Sequence, residues 1–373
     1  MSVNYSSVIP ENNKASYGEY DTVDFVMTFE NQSLQMGSVR LEGVVSVRQN
    51  GQPLSELANQ QLIIRYDNLV GMHALCESVQ TEILGEVVEN LTEYPRMVKQ
   101  YAAARNNAND MFNSSHVCEM RTPADVLTTE YLKGEQVRAQ ITPPVRNDPD
   151  FSVRLDNVLN SSSELLPYSK SGAVRLSLNL ARVNAFLYGE DVSNDTSYSV
   201  SDLRIVYRTV PTDSGSKDPV VLKRRINIKQ SIQSSLANVQ VKVPSTQVEA
   251  FSSSFQVQSQ ENTAFYNNLT LEKIPNLRQL TFLFNDQTNA NITYLLKSNS
   301  EVLEKFVDAM GDTKRNNLEV NNMIDNNGYG VGLRMSGGTI DLTNQKFSVQ
   351  IDSEISNNVP LLMYMYFHTR LEL

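Results

Sequence analysis

The chain has 373 residues, 40% hydrophobic and 20% charged, with 32 basic against 42 acidic side chains and a formal net charge of -10. That length accommodates one very large core or two of ordinary size, and the composition is that of a folded globular protein rather than a disordered one. So acidic a chain repels a phosphate backbone unless its basic residues are segregated on one face, which argues against direct nucleic-acid binding.

The two cysteines, Cys76 and Cys118, fit free thiols in a reducing compartment better than a disulfide framework. Met1-Ser-Val-Asn-Tyr5 has neither a basic nor an apolar signal region, so no secretion signal is expected. The longest apolar run, Val359 to Phe367, has strand length and falls far short of the roughly 20 residues of a membrane span.

Residues 1–20 are polar and aperiodic and read as an N-terminal arm. Strands follow at once. Val23, Phe25, Met27 and Phe29 occupy one face of a period-two pattern, and Val39, Leu41, Val45 and Val47 repeat it. Asn50-Gly51 then supplies a tight turn, because a type I′ turn needs positive φ at both central residues. From about 71 to 112 the spacing is mixed; Thr92-Glu-Tyr-Pro95 resembles a helix entry, and the Ala-rich run to Arg105 is good helix material. A helical insertion is expected there, with strands resuming at 135–141 and continuing to Val210.

Pro211-Thr-Asp-Ser-Gly-Ser-Lys-Asp-Pro219 is the clearest linker, so a first unit over 21–212 and a second over 220–373 are expected. The second opens with strands at 220–232 and 239–243, then Phe251–Val257 and Leu277–Phe284. One helix is expected over 299–310. Ser298 and Glu301 form a capping box, Val302, Leu303 and Phe306 an apolar stripe, and Gly311 a stop.

The two units read as one design written twice. The first ends with the strands 151–155, 173–180 and 203–209, the second with 331–335, 347–351 and 362–371, in the same order and at similar lengths. About eight strand-length segments per half, each sheet burying one face, make an all-β fold with a few inserted helices: two tandem eight-stranded jelly-roll β-sandwiches.

No chemistry stands out. The three histidines, His73, His116 and His368, have no helical pair spacing; His116 and Cys118 could seed a metal site but read as a polar loop, and His368 as a satisfied core or interface residue. Gly328 to Gly338 lacks the dinucleotide spacing and reads as strand glycines that allow close backbone approach. No nucleophile elbow or Walker loop occurs, and no carboxylate pair rises above background. The basic run Lys223-Arg224-Arg225, with Lys229 nearby, reads as a solvated strand edge; Tyr364, Tyr366 and Phe367 read as sandwich core rather than a subunit contact. No catalytic, cofactor or metal residues are assigned, and no enzyme activity is expected.

The tandem order, the central linker, the insertions and the texture of Phe151–Leu155, Val158-Leu-Asn160, Val174–Leu180, Leu271–Pro275 and Phe282–Asn285 resemble the double jelly-roll major capsid proteins of the tectivirus, adenovirus, virophage and polinton-like lineage. The resemblance implies a structural protein of the virion, made inside the host cell, whose homotrimers form pseudo-hexagonal capsomers of an icosahedral shell. Its implied partners are further copies of itself, neighbouring capsomers, vertex and minor capsid proteins, and an internal membrane where one exists, with arms over residues 1–20 tying capsomers together. The competing readings are a pentameric vertex protein with one jelly roll, a β-sandwich glycan-binding protein, and a glycan hydrolase.

Overall fold

Alternating runs become strands because successive side chains point to opposite faces, so one face can be apolar while the other is wet. The computed structural model describes residues 3–54, 56–57, 62, 64–67, 69–105, 118–121, 148–162, 164–211, 219–285, 294–311, 328–335 and 337–373. The first half holds β1 (Asn4–Val8), β2 (Thr22–Met27), β3 (Gln32–Gln35), β4 (Arg40–Gln49), β5 (Gln52–Pro53), β6 (Cys76–Ile83), β7 (Glu86–Leu91), α1 (Tyr94–Arg105), β8 (Asp150–Arg154), β9 (Leu165–Pro167), β10 (Val174–Leu180) and β11 (Thr196–Pro211). The second holds β12 (Val221–Ile232), β13 (Leu236–Lys242), β14 (Val248–Val257), β15 (Gln279–Phe284), β16 (Tyr294–Leu296), α2 (Asn299–Ala309), β17 (Val331–Arg334), β18 (Lys346–Asp352) and β19 (Leu361–Glu372).

Strand pairing establishes the duplication. In the first half β8-β4-β11-β1 form part of one sheet and β7-β6-β10-β2 part of another. The second half repeats the arrangement as β17-β14-β19-β12 and β16-β15-β18-β13. The matching positions are β8 with β17, β10 with β18 and β11 with β19, the three strand pairs that the sequence aligns. Each half is a jelly roll. The first adds β3, β5 and β9 at its margins. In both rolls a helix follows the fifth strand of the shared set, α1 after β7 and α2 after β16.

The rolls are not separate sandwiches. Edge strand β12 of the second pairs in parallel with edge strand β7 of the first at Ile226 and Asn90, giving one eight-stranded sheet with four strands from each roll. Parallel pairing at that seam fixes the rolls side by side in the same orientation. One end of both therefore gathers the connections that contact one another there: Gly189 N–H donates to Ala264 O, Asn267 Nδ2 to Asp67, and Gln258 N–H to Pro360 O. The opposite end gathers the start of β1, the end of β11, the start of β12 and the C-terminus, where Val220 and Leu373 exchange backbone hydrogen bonds.

The face predicted for β2 and β4 is the buried one: Val23, Phe25, Met27, Leu41 and Val45 are wholly excluded from solvent. In the second roll the facing sheets meet through phenylalanines. Phe251 of β14 packs on Phe282 of β15, with ring centroids 5.8 Å apart, and on Phe347 of β18 at 5.0 Å; Phe347 meets Phe367 of β19 edge-on at 5.5 Å. The apolar side chains of both rolls form one contiguous core cluster.

Three expectations need correction. Residues 1–20 are not a free arm: β1 is the first strand of the first roll, paired with β11 from Asn4 opposite Thr209 to Val8 opposite Ile205, and Tyr17 is buried and bridged to Val200. It escaped notice because an edge strand with mostly exposed side chains needs no apolar face. The 71–112 segment is not wholly helical. A 3-10 turn over Gly71–Leu75 and the hairpin β6–β7 precede α1, and Gly85 supplies its positive-φ turn residue after Leu84. Residues 106–112 of that segment, the strand at 135–141 and most of the linker lie outside the described residues. The basic run is not one solvated edge either: Lys223 is exposed, whereas the Arg225 side chain is 11% exposed and sits in the seam.

Candidate functional site at the junction of the rolls

Helix α1 carries Arg96, Lys99 and Gln100 on buried faces, an arrangement that costs heavily unless each is paired. It is wedged between the rolls, and the partners come from both. Lys99 Nζ donates to Asp67 Oδ2 at 2.5 Å, and Asp67 also accepts from the N–H groups of Leu69 and Val70. Asn267 of the second roll donates to the same Oδ2 at 2.7 Å. Gln100 donates to Ser254 of β14 at 2.9 Å, Arg96 to Gln256, and the Arg96 guanidinium lies 3.9 Å over the Tyr364 ring. One helix thus couples the loop end of the first roll to β14 and β19 of the second.

Glu89 closes the seam one residue from the parallel bridge. Its side chain accepts from Val158 N–H at 2.6 Å and from Arg225 N–H at 2.8 Å, and faces the Arg225 guanidinium at 3.9 Å. Burial pushes its carboxyl above the usual range, against the pull of Arg225. Arg225 continues the network: Nε donates to Tyr101 Oη at 3.2 Å, and that hydroxyl is 3.0 Å from His368 Nδ1. His368 Nε2 lies 3.1 Å from Ser252 Oγ, so this half-buried histidine is satisfied on both nitrogens by the two rolls.

His73 is buried, with Nδ1 2.7 Å from Tyr94 Oη, and burial followed by the charge of Arg121 lowers its pKa. Its Nε2 is 3.5 Å from Glu119 Oε2. Burial opposes ionisation of Glu119, but the His73 contact, Arg121 and the Arg154 N–H at 3.0 Å overcome it and hold the carboxyl at about 2. Gly71 permits this contact, since a Cβ there would stand 2.1 Å from Glu119 O.

Below this network, a cleft of about 1320 Å³ opens between the rolls towards the end that holds the termini, with Tyr5, Arg208, Lys223, Arg370 and Glu164 at its rim and Tyr101, Glu119 and Arg121 deeper in.

Of the residues singled out from sequence, His73 and His368 thus enter two separate polar networks, while His116 lies outside the described residues. Cys76 is buried, its thiol pushed up to about 12 by desolvation, and Cys118 is exposed; both are free thiols. No metal-holding cluster of His, Cys, Asp or Glu occurs among the described residues. Tyr364, Tyr366 and Phe367 are core. Gly330 and Gly332 let α2 lie directly on β17, since a Cβ at Gly332 would meet Ala309 Cβ at 2.7 Å. Glu89, Glu119 and Asp67 were missed because nothing local separates them from the other carboxylates; only tertiary partners mark them.

No protein-family model matches the chain, and no curated protein matches it by sequence. Solved structures do. The PBCV-1 VP54 structure fitted into a reconstruction of the virophage Sputnik superposes over 100% of this chain and 95% of that one, with a TM-score of 0.62 and 11% identity. This chain has the fold of double jelly-roll major capsid proteins. The STIV major capsid protein covers 100% of this chain and 97% of its own at a TM-score of 0.54 and 9% identity. The mavirus major capsid protein covers 99% and 90% at 0.51 and 7% identity. At such identities the shared feature is architecture, the double jelly roll spanning the whole chain.

Proposed function

We propose that this protein is a structural, non-enzymatic capsid protein whose copies assemble as trimeric, pseudo-hexagonal building blocks of an icosahedral viral shell. The observation that carries the reading is the pair of complete rolls, standing side by side in one orientation through a shared sheet. Two similar blocks per chain, repeated three times, give six near-equivalent sides, which suits hexagonal tiling. Polarity supports it too: the connections by which the two rolls contact each other gather at one end and the termini at the other, so a tile has two distinct ends.

A vertex protein with a single jelly roll does not fit a chain in which both halves carry the full strand set. Neighbouring capsomers and minor capsid proteins are the partners this role implies, and the virion its location. The test is expression of the intact chain followed by electron microscopy of the purified material. Hexagonal particles, or sheets and shells built from them, are expected; uniform single-chain particles at all concentrations would overturn the reading.

A further inference from the structure

The cleft at the terminal end stands out in a chain of net charge -10 because its lining is basic. Several of its charges are already matched. Glu42 is engaged by Arg204 at 2.9 Å, Arg225 by Glu89, and Arg370 by Glu249. What remains among the described residues is Arg40, Arg121, Arg154, Arg208 and Lys223 against Glu119, Asp156 and Glu164, a positive surplus. Neither Arg208 nor Lys223 makes an ion pair among the described residues; Arg208 stacks over the Tyr5 ring at 5.1 Å.

The deep part of the cleft is built rather than incidental. Arg40 and Arg154 stand directly opposite each other on β4 and β8, a like-charge pairing that disfavours the sheet unless something compensates it. Arg40 donates from Nε to Ser152 Oγ at 2.7 Å and from Nη2 to the Ser152 carbonyl, with Nη2 3.9 Å from Glu119; Arg121 Nε is 3.4 Å from Glu119, and the Arg154 guanidinium donates to the Asn160 carbonyl at 3.4 Å. Two guanidinium groups therefore flank one carboxylate, with that of Arg154 on the neighbouring strand. Arg121 is 7% exposed, and its Nε is buried without a hydrogen-bond acceptor. Glu119 therefore balances the Arg121 charge without a well-formed hydrogen bond, one carboxylate is shared between Arg121 and Arg40, and a planar guanidinium fork matches a tetrahedral oxyanion.

We propose that this cleft is a binding site for an oxyanion of the phosphate class, held by Arg40, Arg121 and Arg154, with Arg208 and Lys223 guiding its entry. A dianion matches the charge that three arginines leave over one glutamate. The same chemistry is offered by a free phosphate and by a phospholipid headgroup, and the test separates these sources.

The intact purified protein would be titrated with inorganic phosphate at constant ionic strength, with chloride as the control, and its thermal midpoint and binding heat recorded. A midpoint that rises with phosphate and not with chloride is expected. Arg121→Gln and Arg40→Gln should weaken binding roughly tenfold or more, as loss of a charge-assisted hydrogen bond does. Because Arg121→Gln could perturb the fold, the Arg208→Ala/Lys223→Ala double variant, altered only at the rim, provides a second measure and should weaken binding less. Arg278→Gln, a distant surface change paired to Asp352, should leave binding unchanged. In a parallel arm, sedimentation with phosphatidylcholine vesicles containing phosphatidic acid, lost in Arg40→Gln, would identify the headgroup as the carrier; phosphate binding without vesicle binding would identify the free anion. No response to either probe, or an equal response in wild type and in both arginine variants, would overturn the proposal.

Discussion

The two rolls place corresponding strands in the same order yet fill and border them differently. The second is the spare version, eight strands in two four-stranded layers held by Phe251, Phe282, Phe347 and Phe367. The first has a core mainly of valine, leucine and methionine, with Phe25, Phe29, Phe151 and Phe186 among them, additional strands at its margins, and a helix loaded with buried charge where it meets its partner. Strand order and alternation thus specify the jelly roll, while side-chain identity is free to drift provided that volume and burial are kept. Elaboration concentrates on one roll, at the junction, where the chain must join two similar bodies in one orientation only.

That comparison breaks first at β1. If it is the counterpart of β12, removing residues 1–9 exposes an edge of β11 and disrupts the first roll, so the truncated chain should lose solubility or its cooperative unfolding transition. Soluble truncated trimers that merely fail to form shells would restore the reading of this segment as an arm. Next comes the core. Phe347→Ala empties the centre of the aromatic cluster and should cost about 3–5 kcal/mol in denaturant unfolding, and Leu176→Ala on the matching strand β10 about 2–5 kcal/mol. A change below about 1 kcal/mol at Phe347 would show that the cluster does not organise the second roll.

A smaller effect separates the halves by pH. The Glu119 carboxyl is held at about 2 in the fold against 4.5 ordinarily, so it binds fewer protons folded than unfolded between those values. Its contribution is complete above about pH 4.5 and is lost as pH falls towards 2. Glu119→Gln should flatten the acid limb of the stability curve in that window; an unchanged limb would remove Glu119 from the account. The smallest change is at α2, where Ser298 accepts from Glu301 N–H and Glu301 returns the bond; Ser298→Ala should cost about 1 kcal/mol by thermal melt.

What the sequence disclosed follows from how local each signal is. Strands β2 and β4 were legible because alternation is a property of neighbouring residues, and α2 because its capping box lies within four residues of chain. The turn at Asn50-Gly51 was legible too, with φ of 51° and 78°. The hairpin β6–β7 was hidden because buried polar residues, Ser78, Thr81 and Glu89, interrupt its apolar spacing. The junction was invisible for a stronger reason. Asp67, Lys99 and Asn267 come from three distant parts of the chain and acquire meaning only when both rolls are in place, as do Glu89 with Arg225 and Glu119 with Arg40.

The central claim, that two fused rolls make one tile of a shell, is tested most directly by the native mass of the purified, full-length protein across a dilution series. The account predicts three copies per particle, persisting on dilution, because side-by-side rolls of this size bury interfaces on the order of 2,000 Å² or more in obligate assemblies. A stable monomer, or a particle of five copies, would contradict it.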